Sequence, residues 1–331
     1  MRLSGEEFLL MCQRQRPGAV SAKAVDPIAR RRRLRRLAIL LFAATLISTF
    51  WSGVCGWVPY APLMHAWAIG SALPIRQTLL ANWMGGLQFS LALMAILVAH
   101  ELGHYLMTLY YRVPSTPPLF IPFPIISPIG TMGAVIMMQS GTADRRQIFD
   151  IGLAGPLAGL VVALPIIAWG IIDGNQLPHV TNSPAETLVF GQPLLIQWLG
   201  AWLDPGQASR YVQIANTELN PFLMAGWVGL LVTGLNMMPL GQLDGGHVAF
   251  GLLGPRSFWI AVLAMAAAVG YMLVTQVAAF ALMLLLVFLM GLRHPPSSND
   301  QRELGMLRQL LGWASLALPI LCIPGNPLSV L

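Results

Sequence analysis

Seven stretches of this chain are apolar over enough residues to be read as bilayer crossings: 37–57, 86–111, 148–172, 221–240, 258–274, 277–292 and 309–323. About twenty consecutive apolar residues cross roughly 30 Å of hydrocarbon, and backbone at that depth must satisfy its own hydrogen bonds, which makes the helix the default. Composition agrees, with 331 residues of which 56% are hydrophobic and 10% charged, where a soluble domain carries about a quarter charged. An ordinary soluble enzyme and a disordered chain are both excluded. The expected fold is an α-helical polytopic membrane protein with about seven transmembrane helices. The runs 258–274 and 277–292 are short for two crossings, and only Thr275 and Gln276 mark a turn, so one long tilted or kinked element is the alternative. Segment 62–83 is interrupted by Pro62, Pro74 and Arg76, and 187–203 is bounded by Asp204 and Pro205; both read as interfacial or loop structure.

The net charge of +6 is unevenly placed. Ten of the 19 basic residues fall in positions 1–36, against three acids (Glu6, Glu7, Asp26), and the remainder of the chain is nearly neutral. The basic block abuts the apolar run at Leu37, the arrangement of a juxtamembrane anchor rather than of a nucleic-acid surface. It is long for a secretory signal and shows no clear small-residue cleavage site, so the first span reads as a retained signal anchor, with a transit peptide as the alternative. If residues 1–36 are cytoplasmic, Arg112, Arg145, Arg146, Arg256, Arg293, Arg302 and Arg308 share that side, and only Arg76 and Arg210 lie opposite, as the positive-inside rule requires. The loop 173–220 and the C-terminus then face outward. Cys12, Cys55 and Cys322 are too few and scattered for a disulfide framework or a thiolate site.

The chain divides into a basic segment (1–36), a first helix with an interfacial segment (37–85), a membrane core carrying the chemistry (86–255) and C-terminal helices with a short tail (256–331). Between Val113 and Gln147, Pro114, Pro117, Pro118, Pro122, Pro124 and Pro128 forbid a regular helix. The stretch is nevertheless strongly apolar, and such backbone is tolerated at membrane depth only when buried in protein or lining a cavity. A re-entrant, partly β loop is expected, with a short strand in Gly130–Met138; a loop packed on the bilayer surface is the alternative.

The second apolar run contains His100-Glu101-Leu102-Gly103-His104. On a helix, positions i and i+4 share a face, so both imidazoles can address one ion while Glu101 lies beside it, free to handle a proton. Six His and six Glu in 331 residues produce this H-E-x-x-H pattern by chance on the order of 0.002 times. Three ionisable groups in an apolar span are also costly without a function or a partner. A catalytic zinc has three protein ligands and one open position, and Asp244 is the best third ligand. It follows the fourth run in Asn236-Met237-Met238-Pro239-Leu240-Gly241-Gln242-Leu243-Asp244-Gly245-Gly246-His247, where Pro239 ends the helix and lets the backbone turn the carboxylate inward. His247 is a weaker rival, read as a capping or supporting residue.

H-E-L-G-H followed by N-M-M-P-L-G-Q-L-D-G-G-H resembles the site-2 protease family of intramembrane zinc metalloproteases (peptidase M50). G-T-M-G-A-V-I-M-M-Q-S, D-R-R-Q-I-F-D-I-G-L-A-G-P-L-A-G and N-P-F-L-M-A-G-W-V-G-L-L-V-T-G-L-N are similar to its EGY-type branch. The resemblance covers about 86–255; it departs at Leu157, where many members have asparagine. It implies one zinc per chain held by His100, His104 and Asp244, with Glu101 as general base and Asn236 as a donor to substrate backbone or oxyanion; an interhelical hydrogen bond is the other reading of Asn236. Gly155 and Gly159, like Ala154 and Ala158, are spaced for close helix contact. The expected activity is zinc-dependent cleavage of the transmembrane segments of membrane proteins within the lipid bilayer. A metal-binding transporter and a non-proteolytic membrane scaffold are the competing classes. The expected location is a bacterial inner membrane, with an organelle membrane as the alternative.

Overall fold

The computed structural model describes residues 27–139, 141–174, 188–216, 218–277 and 280–330. Most of the basic segment, 1–26, lies outside these residues, as does 175–187 of the long loop. Eleven helices follow in chain order among the described residues: α1 Pro27–Val54, α2 Ala61–Ile69, α3 Leu73–Tyr110, α4 Arg145–Asp173, α5 Leu194–Leu203, α6 Pro221–Asn236, α7 Asp244–Leu253, α8 Ser257–Thr275, α9 Ala281–Met290, α10 Met306–Ser315 and α11 Leu318–Cys322. Four helical stretches among the described residues are long and apolar enough to cross a membrane: Arg32–Val54, Leu73–Tyr110, Arg145–Asp173 and Asp244–Thr275, the last combining α7, a 3₁₀ turn and α8. The expected crossings at 221–240, 277–292 and 309–323 form shorter apolar helices, the last one split into α10 and α11.

The two segments expected to be interfacial or loop structure contain regular elements. Segment 62–83 contains α2 and the opening turns of α3. Pro62 and Pro74 sit in the first turns of these helices, where the missing N–H has no intrahelical partner to lose, so they start helices instead of breaking one. At 38 residues α3 is about 57 Å long, nearly twice the hydrocarbon thickness. Segment 187–203 forms β3 (Leu188–Gly191) and α5. Strand β3 pairs antiparallel with β4 (Gln213–Ala215) and with β5 (Ser329–Val330), which brings residues 329–330 beside 188–189.

Between α3 and α4, β1 (Leu119–Pro122) and β2 (Thr131–Val135) form an antiparallel hairpin in the register Leu119↔Val135 and Phe120↔Ala134. Strand β2 falls inside the run 130–138 where the sequence calls for one. The hairpin docks on α1, with Ser48 Oγ donating to the Gly130 carbonyl at 2.6 Å, Ser52 Oγ donating to Pro128 and Phe42 meeting Phe120 edge-on at 5.3 Å. Gly130 has φ +75°, and a Cβ there would lie 2.6 Å from the Ser48 carbonyl oxygen, so only glycine fits.

The core lies between α1, α3, α4 and α6, with Phe89, Leu93, Ile96, Ile167, Met224 and Val228 fully buried. Small residues set the helix spacing, as expected where apolar burial alone does not drive helices together in lipid. A Cβ on Gly103 would stand 2.6 Å from the Ala154 carbonyl oxygen and 3.0 Å from the Ala158 methyl, so α3 and α4 touch at the small residues the sequence spacing marks.

Candidate metal centre

Helix α3 presents His100 and His104 one turn apart, 2% and 8% exposed. Helix α4 makes room for both. A Cβ at Gly155 would lie 2.0 Å from His104 Nε2, and one at Gly159 would lie 3.2 Å from His100. The His104 Nδ1 nitrogen is 2.7 Å from the Ile151 carbonyl. A carbonyl only accepts, so Nδ1 carries the proton and the lone pair of Nε2 faces the site.

Asp244 arrives from the other side. Helix α6 ends at Asn236 ahead of Pro239, and the chain turns and restarts as α7 with Asp244 in its first position. The turn is tight, since a Cβ on Gly245 would lie 2.0 Å from the Met237 carbonyl oxygen and one on Gly246 2.4 Å from that of Gly241. Asp244 Oδ2 then lies 3.1 Å from His100 Nε2 and 3.2 Å from His104 Nε2, and the two nitrogens are 3.2 Å apart. These three atoms form a nearly equilateral triangle. Bonds of about 2.0–2.1 Å to a tetrahedral zinc place ligand atoms roughly 3.3 Å apart, so two imidazole nitrogens and one carboxylate oxygen at this spacing fit three of the four positions around zinc. Among the described residues this is the one His/Cys/Asp/Glu group arranged to hold a metal.

Glu101 is 5% exposed and within electrostatic reach of His100, His104 and Asp244. Asn236 Nδ2 lies 3.3 Å from His100 Nε2, which brings it to the edge of the site from the end of α6. His247 stays apart from the triangle. Its Nδ1 is 2.7 Å from His294 Nε2, and His294 stacks on Phe250 with ring centroids 4.1 Å apart. Burial pushes the His294 imidazole below its ordinary range, and its Nδ1, 2.6 Å from the Pro295 carbonyl, carries the proton.

The Ile151 carbonyl carries no side-chain signal and is invisible in the sequence. Neither is the cluster below the site legible there: Arg308 grips Asp150 through Nε at 2.7 Å and Nη2 at 3.0 Å, and the Tyr111 hydroxyl donates to the same carboxylate at 2.5 Å. Burial and that bond push the Tyr111 hydroxyl up to about 12.

The sequence profile of peptidase family M50 matches residues 88–277, which include every residue of the triangle. The chain belongs to peptidase family M50. Among curated relatives, the chain is 27% identical over 293 residues to a protein of Arabidopsis thaliana named probable zinc metalloprotease EGY1, chloroplastic, covering 87% of this chain and 52% of that protein. It is 30% identical over 224 residues to the Oryza sativa subsp. japonica protein of the same name, covering 66% of this chain and 38% of the relative. An EGY2 protein of Arabidopsis thaliana is 31% identical over 176 residues, 52% of this chain and 30% of the relative. This M50 chain is thus similar to EGY-type members and spans about half or less of their length. No solved structure matches it.

Proposed function

We propose that the chain is a zinc endopeptidase that cuts membrane-spanning segments of other proteins. The observation that carries this reading is the convergence of His100, His104 and Asp244 at 3.1–3.2 Å on long apolar helices, with Glu101 beside them. Membership of family M50 and the metalloprotease names of the relatives support it. His100, His104 and Asp244 would hold one zinc. When bound, the ion supplies Lewis acidity, acidifying the attacking water and polarising the scissile carbonyl. Glu101 takes the proton from the water and passes it to the leaving amine. Asn236 holds the substrate backbone or the developing oxyanion from the side of His100. His100, Glu101 and His104 are buried, so bulk water has little access to these groups.

A helical substrate must unwind before one of its carbonyls reaches the site. Strand β2 has β1 on one edge only among the described residues, and we assign its other edge to the unwound segment by strand pairing. The basic N-terminal block and the shared side of the flanking arginines support an N-terminus in the cytoplasm or its organellar equivalent, which puts the site towards that face. The chloroplastic names of the relatives favour an organelle membrane, with a bacterial inner membrane as the other assignment.

Stripping the purified protein of metal should abolish cleavage of a single-span membrane protein, and Zn²⁺ alone should restore it. Cleavage that survives exhaustive chelation contradicts the reading. Metal-driven ion flux without cleavage would instead support the transporter class.

A further inference from the structure

We propose that Arg308 is a positioning residue of the metal centre, acting through Asp150 on His104. This rests on the zinc reading above. Arg308 lies on α10, outside residues 88–277 that match the family profile. Its guanidinium nevertheless makes a two-pronged contact with Asp150, at 2.7 and 3.0 Å, the strongest ion-pair geometry available to these side chains. Both partners are partly shielded from water, at 11% exposed for Asp150 and 28% for Arg308, so the pair is screened somewhat less than a fully exposed bridge.

Two connections carry this grip to the ion site. Asp150 directly precedes Ile151, whose carbonyl fixes the His104 ring at 2.7 Å. Asp150 also accepts from Tyr111 at 2.5 Å, seven residues beyond His104 and so on the same side of the chain end. One carboxylate therefore locks the start of α4 to the end of α3 on the face where His104 emerges. Arg308 supplies the charge that makes that carboxylate tolerable there. The partner that orients a ligating imidazole typically contributes 10–100-fold in metal affinity. Without Arg308, the Asp150 carboxylate loses its counter-charge, the first turns of α4 relax, and the Ile151 carbonyl turns the imidazole off the ion.

The full chain in detergent is titrated with Zn²⁺ against a colour-forming chelator, for wild type, Arg308→Gln, Arg308→Lys, Tyr111→Phe and His104→Ala, with thermal midpoints recorded alongside. Arg308→Gln should bind Zn²⁺ about 10-fold more weakly, Arg308→Lys should recover part of the loss, and Tyr111→Phe should weaken binding to a smaller degree. The double variant Arg308→Gln with Tyr111→Phe should lose less than the two single losses combined, because both act through one carboxylate. Tight zinc binding by wild type and by Arg308→Gln alike, whatever their thermal midpoints, overturns the proposal and leaves the zinc reading intact. If Arg308→Gln does not fold, Tyr111→Phe decides, and unchanged affinity there overturns it. If wild type binds Zn²⁺ no better than His104→Ala, the zinc reading itself fails and this proposal fails with it.

Discussion

A single methyl group at position 155 would crowd the His104 ring out of its place in the triangle. A Cβ there would lie 2.0 Å from His104 Nε2, so Gly155→Ala must push the imidazole off the triangle even though alanine favours helix. The expected result is at least about 10-fold weaker Zn²⁺ binding with helix content unchanged by circular dichroism; equal affinity would mean the ring has room the geometry denies it. His294 carries a pH dependence. Partial burial disfavours its charged form in the folded chain, while the unfolded chain takes up a proton near about pH 6.5. The stability from this difference is therefore present above that pH and is lost as pH falls through it. Between about pH 7 and about pH 5.5 the thermal midpoint of wild type should drop further than that of His294→Leu; equal drops would count against a lowered His294 pKa.

At the level of elements, the hairpin depends on a contact that its own sequence does not announce. Gly130 at φ +75° meets the backbone of α1 at Ser48. Gly130→Ala adds about 1–2 kcal/mol of left-handed strain and a clash, and should open the 113–143 loop to limited protease at concentrations that leave wild type whole. A photo-crosslinking side chain at exposed Val135 on β2 should capture a bound substrate, and the same group at Leu311 on α10 should not. Capture at both positions alike would remove the strand-pairing role. The strand itself was legible, because a proline-rich run ending in Gly-Thr-Met-Gly-Ala-Val leaves few other conformations. The first turns of α3 were not, because Pro74 looks the same whether it breaks a helix or opens one; only the packing of the residues after it decides. The strand–helix unit at 188–203 was missed for a similar reason, since β3 is held by β4 and by β5 at the far end of the chain, and no local pattern records those partners.

Across the whole molecule, the groups proposed for chemistry come from sequence positions about 140 residues apart, yet they were the most legible part. H-E-x-x-H demands a helix, and L-D-G-G after a proline demands a turn, so each half of the site carries its own local signature. The groups that support the site carry none: the Ile151 carbonyl is backbone, and Asp150 and Arg308 are ordinary charges until the fold places them together. Charge placement does predict topology. Single cysteines at Asn299 and near residue 20 should react with an impermeant thiol reagent from one side of the membrane, and one at Gln207 from the other; labelling of all three from one side would contradict the orientation. The central claim is that Glu101 moves the proton at a zinc held by His100, His104 and Asp244. Its most direct measurement compares wild type and Glu101→Gln, reconstituted in lipid with a single-span substrate, with bound zinc determined on the same samples. The account predicts that Glu101→Gln keeps its zinc and loses at least about 100-fold in cleavage rate, the lower range for a general base. Cleavage by zinc-loaded Glu101→Gln at the wild-type rate would contradict it.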